Sequence, residues 1–190
     1  MAPIFNSGDD REHTLATVLI ESLEVHSGAV LVAHDRSGRI ERELQSRGCK
    51  TVSWHRMQDE SNTATVWPDE GQFDGACLRL SKDKLAFEMA FHAIVSRVQP
   101  GGSIWIYGAN DEGIKSVPKR ISCLCENLKT VATKRHCRVI ACTVGIEPTG
   151  IRPNLSDWLQ NAPLDFTAKS VAVYSYPGVF AKGQLDSGTR

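Results

Sequence analysis

The sequence has no surplus of charge of either sign. Its 190 residues carry 22 Lys and Arg against 22 Asp and Glu, so the molecule as a whole offers no electrostatic footprint for nucleic acid. Any RNA contact has to come from a local basic patch or from a domain outside this chain. No apolar run approaches the ~20 residues that a membrane helix needs. No basic and then apolar opening marks a secretory signal, and Asp9 and Asp10 disfavour an Arg-rich transit peptide. The six cysteines form no CxxC pair, and several sit inside apolar runs. They read as reduced core thiols of a cytoplasmic protein. A GxSxG nucleophile elbow is absent, and His136-Cys137 have no partners at metal-ligand spacing. What is present is an ordinary globular balance, 41% hydrophobic and 23% charged, enough for one packed domain.

Apolar runs alternate with amphipathic stretches. Leu15, Val18, Leu19 and Leu23 share one face of a helix expected over Glu12 to Val25. Ala29 to Ala33 (AVLVA) reads as a strand buried on both faces, followed by a polar helix over Ser37 to Arg47 that Gly48 closes. Lys50 to Trp54 and Phe73 to Leu80 read as strands, with a polar loop from Gln58 to Gly71 between them. A helix bearing Phe87, Phe91, Ile94 and Val98 on one stripe, with Glu88, His92 and Ser96 on its solvated side, is expected to stop at Pro100-Gly101-Gly102. Ser103 to Tyr107 is the next strand. A turn over Gly108 to Gly113 then leads into a helix with Ile114, Val117, Ile121, Leu124 and Leu128 on its apolar face, Ser116 as a cap and Pro118 in its first turn. Val131 to Thr143 is strand-like, although Lys134 to Arg138 break its alternation. After a Pro/Gly loop over Gly145 to Asn154 and a short helix or turn at Trp158, Phe166 to Tyr174 alternates as a final strand. This β-α order predicts an α/β fold with a doubly wound, mainly parallel sheet.

Such sheets bind ligands at the carboxyl ends of their strands, near the switch point. The first strand ends Ala33-His34-Asp35-Arg36-Ser37-Gly38, with one glycine where a nucleoside-binding turn needs several. That is an ordinary strand-to-helix connection, so no cofactor site and no catalytic residue are expected in this chain. The segment from Phe73 to Tyr107, with Val98-Gln99-Pro100-Gly101-Gly102 before the strand, resembles the later half of class I methyltransferases. Amino-methylating members of that superfamily carry Asn-Pro-Pro-aromatic after the preceding strand, to hold an exocyclic amine and stack a flipped base. Here the corresponding residues are Leu78-Arg79-Leu80, which supply neither function.

Two further segments resemble one family within that superfamily, the ribosomal RNA guanine-N2 methyltransferases, which include small-subunit methyltransferase C and large-subunit methyltransferase G. They are Gly108-Ala109-Asn110-Asp111-Glu112-Gly113-Ile114-Lys115-Ser116, and Tyr176-Pro177-Gly178-Val179-Phe180 with Leu185-Asp186-Ser187-Gly188-Thr189. The resemblance implies a Rossmann-like N-terminal domain whose donor site has decayed. By that resemblance residues 1–165 form the degenerate domain, and residues 166–190 are the connector and first strand of a following catalytic domain. S-adenosylmethionine is expected in that following domain and not in this chain. The implied role is RNA recognition and structural support within a methyltransferase of rRNA processing and ribosome biogenesis, while this segment alone is not expected to be an enzyme. The implied partners are ribosomal RNA or the small ribosomal subunit, and the catalytic domain itself. The alternatives are a non-catalytic ribosome-assembly or RNA-binding factor on the same decayed fold, and a small-molecule enzyme reusing the crevice.

Candidate RNA contacts follow from chemistry. Asn110, Lys115 and Ser116 could join a helix N-terminus on a phosphate, although Asp111 and Glu112 oppose this and a plain Gly/Asn turn explains the loop as well. Lys119, Arg120, Lys134, Arg135 and Arg138 add a locally basic stretch that could meet RNA backbone. Solvated surface charge is the competing explanation.

Overall fold

The computed structural model describes residues 7–25, 27–58, 62–166 and 169–178. Helix α1 (Ser7–Ile20) leads into β1 (Ala29–Ala33), α2 (Arg39–Ser46), β2 (Lys50–Trp54), β3 (Phe73–Arg79), α3 (Lys84–Val95) and β4 (Val98–Ala109). The short helix α4 (Val117–Ile121) follows, then β5 (Cys125–Lys134) and β6 (Cys137–Val144), and finally β7 (Gln160–Phe166) and β8 (Lys169–Ser175). Six strands form one sheet in the order β2-β1-β3-β4-β6-β5. The first four are parallel and the last two antiparallel, so the fold is the expected mainly parallel α/β sheet.

Alternation along each strand builds one core on each face. Leu31 and Ala33 of β1 pack with Ala76, Leu78, Ile104 and Ile106 under α3 and α4. Val30 and Val32 pack with Cys77, Trp105 and Tyr107 under α1 and α2. Phe87 and Phe91 of α3 stack within the first core at a centroid distance of 6.0 Å. Leu15, Val18 and Leu19 of α1 lie in the second, as their spacing predicts.

Several boundaries differ from the sequence reading. Helix α1 ends five residues early: the Ser22 amide reaches back only to Leu19 (2.8 Å), and the Ser22 hydroxyl donates to the Val18 carbonyl at 2.7 Å, tightening the last turn. Pro100-Gly101-Gly102 does not stop α3. The helix has already closed at Ser96, whose amide bonds to His92, and Val98 belongs to β4. The Pro-Gly-Gly run is instead a wide bulge inside β4: Phe73 pairs with Val98, but Gly75 pairs with Ser103. The helix expected to run to Leu128 ends at Ile121, and β5 starts at Cys125. The irregularity at Lys134 to Arg138 is a hairpin turn, with Arg135 and His136 both left-handed at φ 51° and 60°. The final strand expected over Phe166 to Tyr174 corresponds to β8, and an unexpected strand before it, β7, pairs with it antiparallel in a sheet of their own. Of the second family-like segment, Tyr176 to Gly178 are described; Val179, Phe180 and Leu185 to Thr189 lie outside the described residues.

Candidate functional site

The sheet reverses its winding at β1, with β2 on one side and β3 on the other, and a crevice of about 870 Å³ opens at the carboxyl ends of these strands. This is where such folds take ligands. Two features of the crevice are built from residues with no glycine-rich logic.

The first is the β1–α2 turn. His34 continues the β1 ladder through its amide to the Trp54 carbonyl (2.8 Å), but with φ at 63° its chain turns sharply. Asp35 is buried and spends both oxygens inside the turn. Its Oδ1 accepts the Ser37 amide (3.1 Å) and hydroxyl (2.6 Å), and its Oδ2 accepts the Ile40 amide (3.0 Å). The Arg39 amide is taken by the Ser37 hydroxyl at 3.2 Å. The Arg39 and Ile40 N–H groups at the head of α2 are therefore taken from within the chain.

The second is an ion cluster that the sequence reading missed. Arg79, the last residue of β3, is 7% exposed, and its guanidinium makes five hydrogen bonds. Nε and Nη2 hold Glu12 of α1 at 2.9 and 2.8 Å; Nη1 and Nη2 hold Glu112 at 2.7 and 2.9 Å; Nη1 also reaches the Leu80 carbonyl at 2.9 Å. Every guanidinium donor is used. Glu112 further accepts the Ala109 amide (2.9 Å), and Arg11 lies 3.4 Å from it while pairing with Asp111. Burial alone would lower the Arg79 pKa, but the bonds to Glu12 and Glu112 raise it above its ordinary value. Burial likewise pushes Glu112 upward, and the Arg79 and Ala109 bonds reverse the sign, leaving it below the usual carboxylate range. Tyr107, paired with Arg79 across β3 and β4, lies beneath the guanidinium at 6.0 Å. Burial, with Asp35 adding to it, lifts the Tyr107 hydroxyl well above its ordinary value. The signal in the sequence was a lone cation inside the apolar run of β3.

The predicted RNA-contacting residues fall into separate groups. Lys115, Ser116 and Lys119 are exposed. The Ser116 hydroxyl and amide both turn back onto the Gly113 carbonyl, at 2.8 and 2.9 Å, and α4 spans only five residues. The loop is thus a self-satisfied turn and not a helix-head anion site. Arg120 faces inward: it pairs with Glu88 of α3 at 2.8 Å and lies over the Phe87 ring at 5.4 Å, which removes it from the basic surface. Asn110 is drawn to the other end of the loop, its amide bonding to the His136 carbonyl (2.9 Å) at the β5–β6 turn. Lys134 and Arg135 stand on that turn beside Glu21, at 3.1 and 3.9 Å. Arg138 is half-buried in β6 with its Nε shielded. Asn110, Lys134 and Arg135 are thus gathered at one end of the sheet, apart from the α4 residues in the chain.

His92 is not the solvated residue its stripe suggested. Its Nδ1 accepts the Arg152 amide at 3.0 Å and its ring meets Trp158 edge-on at 5.1 Å, which fastens the loop after β6 onto α3. Burial lowers its pKa. Five cysteines are buried and Cys123 is exposed, all of them free. Among the described residues no three His, Cys, Asp or Glu side chains are grouped to hold a metal ion. No helix among them is long and apolar enough to cross a membrane.

The family described as "Methyltransferase small domain N-terminal" matches residues 16–161. A ribosomal RNA small subunit methyltransferase C from Pseudoalteromonas atlantica is 33% identical over 125 residues, covering 66% of this chain and 36% of the relative. The protein of that name from Stutzerimonas stutzeri is 27% identical over 180 residues, covering 90% of this chain and 52% of its own length. The chain therefore spans between about a third and a half of the curated relatives it matches. Among solved structures, the T. thermophilus 16S rRNA N2 methyltransferase, determined with AdoMet and guanosine, superposes with a TM-score of 0.76 at 15% identity. That superposition covers 92% of this chain and 49% of the other. A ribosomal protein L11 methylase from Lactobacillus delbrueckii gives 0.56 at 14% identity, covering 76% and 90%. At these identities the structures speak for the fold alone.

Proposed function

The chain belongs to the methyltransferase small domain N-terminal family, and from that premise we propose that it is the RNA-recognition and structural-support domain of an S-adenosylmethionine-dependent rRNA guanine-N2 methyltransferase. The catalytic domain would lie beyond the part of the relatives that this chain spans, and the protein would work in the cytoplasm on small-subunit RNA. The observation that carries the support role is the Arg79–Glu12–Glu112 cluster. It stands at the end of β3, where amino-methylating relatives of the fold carry their base-holding motif, and it joins α1, β3 and the turn after β4 into one rigid corner.

The crevice does not suit a methyl donor. S-adenosylmethionine presents ribose hydroxyls and a sulfonium cation. The end of β2 reads Trp54-His55-Arg56, with no carboxylate to take a ribose, and Asp35 is already committed to its own turn. Arg36 and Arg56 line the crevice, so a sulfonium would meet charge of its own sign. Isothermal titration of this chain with S-adenosylmethionine should give no saturable heat at micromolar concentrations. A micromolar Kd would restore the donor site to this domain and remove the premise of decay.

RNA recognition is tested separately. We assign the phosphate contacts to the exposed cations Lys115, Lys119, Lys134 and Arg135, with Asn110 and Ser116 beside them and with Arg120 turned inward. Filter binding of a small-subunit rRNA fragment between 50 and 200 mM salt, roughly the range over which counterion release is read, should show affinity falling steeply with salt. Replacing the four cations by Gln should flatten the log–log slope by roughly 0.7 for each phosphate lost. An unchanged slope in the fourfold variant would show that these residues do not face RNA.

A further inference from the structure

The walls of the crevice differ in electrical character. One wall neutralises itself: Arg79 carries Glu12 and Glu112, and Arg11 pairs with Asp111 and Glu112. The other brings Arg36 from beyond β1, Arg56 from beyond β2 and Lys82 from the link between β3 and α3. Among the described residues, Arg36 donates to the Met57 sulfur, at 3.7 Å. Arg56 gives one N–H to the Pro177 carbonyl at 2.7 Å and lies in the field of Asp83, whose Oδ1 also caps α3 through the Leu85 and Ala86 amides at 2.9 and 3.0 Å. Lys82 is exposed. Three cations thus face the opening; among the described residues Asp83 stands beside Arg56 and is already shared with the helix head, and Asp111, which pairs with Arg11, lies in the field of Lys82.

Two nitrogens lining this crevice, Nε of Arg56 and Nε2 of His34, are shielded from solvent and have no hydrogen-bond partner among the described residues. Buried polar atoms are rarely left so without a reason. Burial first, with smaller contributions from Arg56, His55 and Arg36, pushes the His34 pKa down to about 3. Its ring is therefore neutral at pH 7. Beside these groups, Met57 and Val66 are 67% and 49% exposed at the mouth, and Leu80, Ala86 and Tyr176 continue the apolar lining. A cationic wall next to exposed apolar side chains fits a flat ring joined to an anion. The volume of about 870 Å³ falls within the range of small-molecule sites, roughly 300–1,000 Å³.

We propose that this crevice binds a nucleoside phosphate, the phosphate on the Arg36, Arg56 and Lys82 side and the base against Met57 and Val66. The occupant is either a free nucleotide or one unpaired nucleotide of an RNA strand, since both present the same chemistry. The site goes beyond the support role and uses none of the four cations assigned above to RNA backbone.

The test is an NMR titration of the full chain with guanosine 5′-monophosphate, adenosine 5′-monophosphate and the two nucleosides, following the His34 ring resonances. Each monophosphate should shift them saturably and bind at least tenfold more tightly than its nucleoside. The double variant Arg36→Gln/Lys82→Gln changes only exposed side chains, so it should keep the melting temperature while losing more than tenfold in affinity. Competition with a single-stranded oligoribonucleotide then names the source: displacement assigns an RNA strand, and no displacement a free nucleotide. Monophosphate and nucleoside binding alike, affinity unchanged in the double variant, or His34 unmoved by any ligand would each overturn the proposal. The salt slope on rRNA reports on Lys115, Lys119, Lys134 and Arg135, none of which lines the crevice, so failure in the crevice leaves that reading standing.

Discussion

Arg79→Met should destabilise the domain by about 3–5 kcal/mol, the cost of stranding a buried partner charge, and lower Tm by roughly 6–20 °C for a chain of this size. Methionine retains most of the aliphatic volume, so the loss isolates the charge and its hydrogen bonds. The Glu112 side chain, 4% exposed, and that of Glu12, 20% exposed, would be left without their cation. The dependence on pH fixes the sign. In the native chain Glu112 titrates below its ordinary value of 4.5, so its contribution is present above that pH and fades as pH falls through the depressed folded value. Without Arg79, burial becomes the dominant influence and the Glu112 pKa moves up, so protonation now relieves the variant. The stability gap between the two proteins should therefore begin to narrow as pH falls through the raised Glu112 pKa of the variant, above 4.5, and go on narrowing down to the depressed native value. Adding Glu12→Gln and Glu112→Gln to Arg79→Met should recover much of the loss at neutral pH, because no uncompensated charge is then buried. Chemical denaturation of the three proteins at pH 7 and pH 4 decides it; a gap that is independent of pH would mean that Arg79 acts through packing.

That cluster also shows where reading the sequence stops. The strands β1 and β2 and the apolar stripe of α3 were legible because their periodicity is local: AVLVA is buried on both faces and Phe87, Phe91 and Ile94 share one stripe. Arg79 was visible only as a residue that could not do methyltransfer chemistry. Its partners lie 67 and 33 residues away in the chain, and nothing in the spacing of Glu12 and Glu112 announces a shared cation. The false extension of α4 has the opposite cause. Ile121, Leu124 and Leu128 keep helical spacing by coincidence, while Asn127 takes a left-handed conformation at φ 51° and the chain has already joined the sheet. The β5–β6 turn was hidden because Arg135 and His136 occupy left-handed positions that Asn and Gly usually fill. Among the candidate contacts, composition could not separate Lys119, which faces solvent, from Arg120, which folds back onto Phe87 and Glu88. One residue of helical rotation decides it.

Gly102→Ala should cost about 2–3 kcal/mol, at the upper end of ordinary overpacking, and lower Tm by roughly 4–12 °C. A β-carbon there would stand 2.5 Å from the Val98 Cγ1, 2.7 Å from the Asp74 carbonyl oxygen and 2.9 Å from that of Gln99. Two of the three obstacles are backbone carbonyls, which give way less readily than the end of a flexible side chain. Gly101 is the control. It takes φ of 81° but has nothing within 4 Å of its missing β-carbon, so Gly101→Asn, a residue that tolerates the left-handed region, should cost well under half as much. The contrast matters because the bulge sets register. It absorbs extra residues between the Phe73–Val98 and Gly75–Ser103 pairs, and thereby puts Ile104 and Ile106 under α3 while Trp105 and Tyr107 turn toward α1. A slip of one residue would exchange those faces and carry Tyr107 out from beneath Arg79. Thermal melts of the two variants, with the near-ultraviolet signal of Trp105 and Tyr107 followed alongside, should show a large loss for Gly102→Ala only. Equal losses at the two positions would mean that glycine is required here for backbone conformation and not for the close approach of the strands.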